Sequence, residues 1–177
     1  MARQTGKVPF GYEPPNERDT DRGSLWIYDA FEDYTEQKLV RVLELASGRG
    51  IAKVVFYPLH EETVRRMEKR RPVAPYHRRI EALQALLAAS DTDVDYVVEP
   101  FEGKRKKYTP VDTAFQFLEE KYAAPHFVWV TGTTAGLLAG YESFETWIKK
   151  IRWFVSGEGN PVTHPRLHAY ANRWDLV

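Results

Sequence analysis

The sequence predicts an α/β domain, a doubly wound and mainly parallel five-stranded sheet with helices on both faces. Three observations carry that expectation. Strand-like and helix-like stretches alternate five times along the 177 residues, the pattern that builds a parallel sheet through crossover connections. The strand-like stretches are short unbroken apolar runs, such as AKVVFY at 52–57, as strands buried on both faces require. Size and composition suit one domain: the chain is 43% hydrophobic and 28% charged, and a chain of about 150 residues buries roughly 70% of its unfolded surface.

Residues 1–24 are rich in Pro, Gly, Asp and Arg and read as an N-terminal arm, with the domain at 25–177. SLWIYDAF, to residue 31, has the aromatic and β-branched content of a first strand. A helix is expected over 35–47, where Leu39, Val42, Leu43 and Ala46 share one face, Thr35 starts it and Gly48 stops it. The second strand, 52–57, ends at Pro58. Residues 61–71 read as a charged helical turn or loop, closed by Pro72 and Pro75. A helix over 76–89 carries Ile80, Leu83, Leu86 and Leu87 on one stripe. VDYVV at 94–98 is the third strand, and 103–107 a basic turn. A helix over 110–122 follows, in which Thr109 and Asp112 are placed to form a capping box. FVWV at 127–130 is the fourth strand, 136–151 holds one or two helices, and WFVS at 153–156 is the fifth strand. The tail, 157–177, alternates only weakly.

Composition narrows the function. Lys+Arg and Asp+Glu both number 25, so a globally basic nucleic-acid binder is disfavoured. With no cysteine, the chain has no disulfide, thiolate nucleophile or Cys-ligated zinc. No run reaches the ~20 apolar residues of a membrane span, and the N-terminus lacks an apolar signal core. A cytoplasmic protein is expected.

In such sheets ligands bind beyond the carboxyl ends of the strands. Asp29-Ala30-Phe31-Glu32-Asp33 ends the first strand. Its acids suit a substrate site, but they also suit the first turn of a helix. Arg65, Arg66, Lys69, Arg70 and Arg71 form one basic run and Lys104 to Lys107 another, placed to bind phosphate or simply to face solvent. Five scattered histidines predict no metal site, and neither a Gly-rich phosphate loop nor a nucleophile elbow is present.

The segments KVVFYP, His77-Arg78-Arg79-Ile80-Glu81-Ala82-Leu83, Tyr108-Thr109-Pro110-Val111-Asp112-Thr113, FVWVTG and the run from Trp147 to Val155 occur in one order. Over about 24–160 they resemble the bacterial nicotinate-nucleotide adenylyltransferases of the HxGH nucleotidyltransferase superfamily. The resemblance implies a Rossmann-like nucleotidyltransferase fold. It also implies a reaction in which the phosphate of a pyridine mononucleotide attacks the α-phosphate of ATP and pyrophosphate leaves, with Mg²⁺. Departures fall on the ATP side. Both histidines of the family motif are replaced, by Thr35 and Lys38, and the glycine between them by Gln37. The glycine pair before them is Tyr28-Asp29, the later acid is Thr134, and the late Ser/Thr-Arg segment has no counterpart.

If the enzyme is active, Thr35 and Lys38 stand as its catalytic residues. Arg78, Tyr108, Thr109, Gly132, Thr134, Tyr141 and Trp147 stand as its substrate contacts, with Tyr141 near the family's ring-stacking position. Loss of the ATP motifs favours a relative that binds a nucleotide, ATP or a pyridine mononucleotide, without efficient transfer. The alternatives are a divergent active adenylyltransferase and a nucleic-acid or protein interaction module using the basic runs. Homo-oligomerisation stays open.

Overall fold

The computed structural model describes residues 22–69, 72–157 and 164–177. Most of the expected arm, Arg70, Arg71 and residues 158–163 lie outside the described residues. In chain order the elements are β1 (Ser24–Asp29), α1 (Glu36–Gly48), β2 (Lys53–Pro58), α2 (Glu61–Glu68), α3 (Tyr76–Ala89), β3 (Asp95–Val98), α4 (Phe101–Arg105), α5 (Val111–Lys121), β4 (His126–Thr131), α6 (Gly132–Ala139), α7 (Phe144–Lys150), β5 (Arg152–Ser156), α8 (Pro165–Ala169), a 3₁₀ turn (Ala171–Arg173) and β6 (Trp174–Leu176).

All strand pairs are parallel, and the order is β3-β2-β1-β4-β5-β6. This is the order of a Rossmann-like doubly wound sheet. Ile27 pairs in register with Phe56 on one side and Trp129 on the other, so β1 lies in the middle of the sheet. Alternate residues feed two cores. Trp26, Tyr28, Val55, Tyr57, Val128, Val130 and Trp153 face α2, α5, α6 and α7. Leu25, Ile27, Val54, Phe56, Trp129 and Phe154 face α1 and α3. Burial on both faces is why these strands read as continuous apolar runs.

Gly23 shows how tightly β1 is led in. Its φ is +68°, and a Cβ there would fall 1.8 Å from the Pro125 carbonyl oxygen, where Ser24 N–H also donates its hydrogen bond. No side chain fits.

Four expectations change. The sheet has a sixth strand, β6, in the tail. It pairs with β5 and is fastened by a two-pronged Arg152–Asp175 ion pair of 3.1 and 2.7 Å and by Trp174 Nε1–H donating to Leu167 O at 2.8 Å. The charged stretch after β2 is a helix, α2, ended by Lys69 in the left-handed conformation (φ 50°). The basic turn is also partly helical: α4 spans Phe101–Arg105, and Lys106 ends it at φ 57°. Finally, the Thr109–Asp112 capping box does not form. Pro110 is the N-cap of α5, without a side-chain cap, because both side chains bond elsewhere.

Candidate functional site

The strand order reverses between β1 and β4, and the two carboxyl ends there open one crevice. It is lined by Asp29, Tyr34, Lys38, Arg41, Trp129, Thr131 and Ser156 and holds only about 30 Å³. One water needs ~10–15 Å³, so a nucleotide does not fit without rearrangement. Two features mark the loop beside it. Phe31 sits at φ 57° and Asp33 at φ 51°, and the loop is held in this conformation by burial of the Phe31 ring against Tyr34 and Phe56. Asp29 receives Phe31 N–H at 3.4 Å, and burial pushes its carboxyl up from the ordinary range despite that bond and the nearby Lys38 charge.

A second crevice of about 380 Å³ is lined by Tyr108, Pro110, Val111, Asp112, Gly140, Tyr141, Glu142 and Ser143. Ligand pockets usually measure about 300–1,000 Å³. It lies between the start of α5 and the α6–α7 turn. Tyr108 and Tyr141 come together there, close enough that the Tyr108 hydroxyl helps burial to raise the Tyr141 pKa. Beneath lies Tyr28, whose hydroxyl is raised well above its ordinary value by burial first, then by Glu102, Tyr141 and Tyr108. Asp112 is held by Trp147, whose Nε1–H donates to Oδ1 at 2.6 Å, while the Trp147 ring packs edge-on against Phe115.

The wall bearing Tyr108 is braced from below by a buried relay. Thr109 N–H donates to Thr63 Oγ1 at 3.0 Å. The Thr63 hydroxyl donates to Glu102 Oε1 at 2.6 Å, which also accepts His60 N–H at 3.0 Å. Glu102 is fully buried. Burial raises its pKa from 4.5 to about 7, against the pull of these hydrogen bonds.

The expected site residues thus divide into three groups. Tyr108 and Tyr141 line the larger crevice, with Thr109 buried behind it and Trp147 orienting Asp112. Gly132 and Thr134 are buried in the first turn of α6, where Thr134 N–H and Oγ1 both bond Thr131 Oγ1, and line neither crevice; of that turn only Thr131 lines the small one. Lys38 lines the small crevice, whereas Thr35 is the N-cap of α1 and accepts Lys38 N–H at 3.2 Å. Arg78 is exposed on α3 and lines neither crevice.

Its neighbour Arg79 is the buried one, 3% exposed. Arg79 donates to the Ala30 and Leu59 carbonyls, each at 2.6 Å, to Ala74 O at 2.7 Å and to Glu61 Oε1 at 2.9 Å. One guanidinium therefore ties together the loops after β1 and β2. Its signal lies in the sequence: Arg79, Leu83 and Leu87 recur every four residues, and these three are the buried positions of α3.

Among the described residues no three His, Asp or Glu side chains converge on a metal site. His164 and His168 do stand four apart, but His164 caps α8 by accepting Arg166 N–H at 3.2 Å. No helix among the described residues is long and apolar enough to cross a membrane. No family model matches the chain, and no curated protein matches its sequence.

Proposed function

We propose that this protein is a relative of the nicotinate-nucleotide adenylyltransferases that binds a pyridine mononucleotide in the Tyr108–Tyr141 crevice and does not transfer an adenylyl group efficiently. One observation carries the reading. The crevice that would hold the mononucleotide measures about 380 Å³ and has two aromatic walls, while the crevice that would hold the ATP phosphates measures about 30 Å³. Two tyrosines offer a ring a stacking face, and the start of α5 offers its unpaired N–H groups to an anion.

Adenylyl transfer between two phosphates needs no protein nucleophile; the protein's part is positioning and charge stabilisation. At the small crevice the chain supplies Lys38 and Arg41 beside the carboxyl of Asp29. Thr35 spends its oxygen on the helix start. Asp29, the one carboxylate lining the small crevice, would be the residue to hold Mg²⁺ carried on a triphosphate, since Mg²⁺ commonly uses one or two carboxylates plus substrate phosphates.

Calorimetric titration with nicotinate and nicotinamide mononucleotides tests the reading. Binding is expected, weakened by Thr109→Ala and Tyr141→Ala in proteins that melt as the parent does. No heat at millimolar ligand would sink it. The second reading, a divergent active enzyme, draws on the cationic pair Lys38 and Arg41. It wins if pyrophosphate is released from ATP and mononucleotide at a rate abolished by Lys38→Ala.

A further inference from the structure

The described parts of two basic runs far apart in sequence lie on neighbouring elements beside the tyrosine crevice. The Thr63–Glu102 and Thr63–Thr109 bonds lock α2 against α4. That sets α2, which carries Arg66 and ends at Lys69, beside α4 and the segment after it, which carry Lys104, Lys106 and Lys107. All five are exposed. The Arg66 guanidinium lies 5.1 Å over the Tyr108 ring, so Arg66 reaches the crevice wall.

Three of the four acids on these two helices are taken up elsewhere, and the fourth, Glu68, is half-buried. Glu102 is buried, Glu61 bonds Arg79, and Glu62 pairs with Arg65. Among the described residues none of the five cations has an ion-pair partner. A chain of zero net charge therefore places five exposed cations on these two neighbouring helices and the turn after them. Five charges spread over two helices exceed what the single phosphate of a mononucleotide neutralises. They suit a ligand with several phosphates in a row, one of whose bases enters an aromatic crevice. That combination, a cationic track with stacking side chains, is how single strands are held without sequence preference.

We infer that the α2–α4 ridge and the Tyr108–Tyr141 crevice form one track for single-stranded nucleic acid, with a base in the crevice and the neighbouring phosphates on Arg66, Lys69, Lys104, Lys106 and Lys107. The inference rests on the reading of the crevice as a nucleotide site and names what extends from it.

Fluorescence anisotropy with a labelled oligonucleotide of about twelve nucleotides, as RNA and as DNA, tests it on the full chain. Affinity is expected to fall with salt at a log–log slope of about −3.5, since each single-strand phosphate contact contributes about −0.7. Between 50 and 200 mM salt that is a loss of about 100-fold. Lys106→Gln with Lys107→Gln should cut the slope by about 1.4 without changing the melting temperature. Tyr141→Leu should weaken the strand about tenfold at unchanged slope.

The inference is overturned if neither strand binds at 50 mM salt, or if Tyr141→Leu and the double Gln variant bind as the parent does. Equal affinity for inorganic polyphosphate or for phosphatidylserine vesicles would also overturn it, because neither presents a base. Mononucleotide binding measured in parallel separates the two readings. If the mononucleotide binds and the strand does not, the track fails while the crevice stands as a nucleotide site. If neither binds, both fail.

Discussion

At the scale of single residues, two buried charged groups decide most. Arg79 answers three backbone carbonyls and the Glu61 carboxylate at once. Removing it takes the side-chain donor from the Ala30 and Leu59 carbonyls in a buried site, while Glu61 keeps the Tyr76 N–H. Arg79→Ala is therefore expected to cost roughly 3–5 kcal/mol, read as a drop in the denaturant midpoint, and Arg79→Lys should recover little because a lysine cannot fork. An effect below about 1 kcal/mol would mean the clamp is not structural. Glu102 acts through pH. Its folded pKa, about 7, lies above its ordinary 4.5, so between those values the folded state holds a proton that the unfolded chain has released. The contribution is thus fully present below about pH 4.5 and lost as pH rises through 7, amounting to at most about 3 kcal/mol. Asp29 is shifted the same way. The melting temperature should therefore fall from about pH 5 to pH 8, and Glu102→Gln should flatten that fall. Identical profiles for parent and variant would count against a buried, titrating Glu102.

At the scale of elements, capping separates structure from chemistry. Thr35 starts α1, and its Oγ1 takes the Lys38 N–H. Thr35→Ala should then cost about 1 kcal/mol of stability and Thr35→Ser almost nothing, both by chemical denaturation. A Thr35→Ala variant as stable as the parent would return the hydroxyl to the candidate chemistry. The short helix α4 shows a different constraint. A Cβ on Gly103 would lie 2.4 Å from the Tyr76 ring, so Gly103→Ala is expected to destabilise even though alanine is the better helix former. Tyr76→Leu should relieve the clash and restore part of the loss, as a double-mutant cycle would reveal.

At the scale of the whole molecule, the strand order ranks the stability of its parts. β1 is bonded on both sides and covered on both faces, whereas β3 and β6 are edges with half-buried or exposed side chains. Amide exchange should be slowest at 25–28 and faster by orders of magnitude in β3 and β6. Comparable protection in β6 would show that the Arg152–Asp175 fastening closes the edge.

The sequence by itself determined the central architecture. The apolar runs of β1, β2, β4 and β5, and the stripes of α1 and α5, are local patterns repeated along the chain, and periodicity reads them directly. It could not determine β6, where Trp174-Asp175-Leu176 is too short to carry a pattern and exists because β5 offers an edge and Arg152 a partner for Asp175. It placed Tyr108 and Tyr141 near one another through the convergence of strand-end turns in such a sheet and through the resemblance, and both tyrosines line one crevice between the start of α5 and the α6–α7 turn. It did not single out Arg79 as the buried arginine of α3, because which of two adjacent arginines faces the sheet depends on the rotation of α3 about its axis. The juxtaposition of α2 and α4, which carry parts of the two basic runs, was likewise decided only in three dimensions. It hangs on the Thr63, Glu102 and Thr109 bonds, which span some forty residues of chain and leave no trace in any local window.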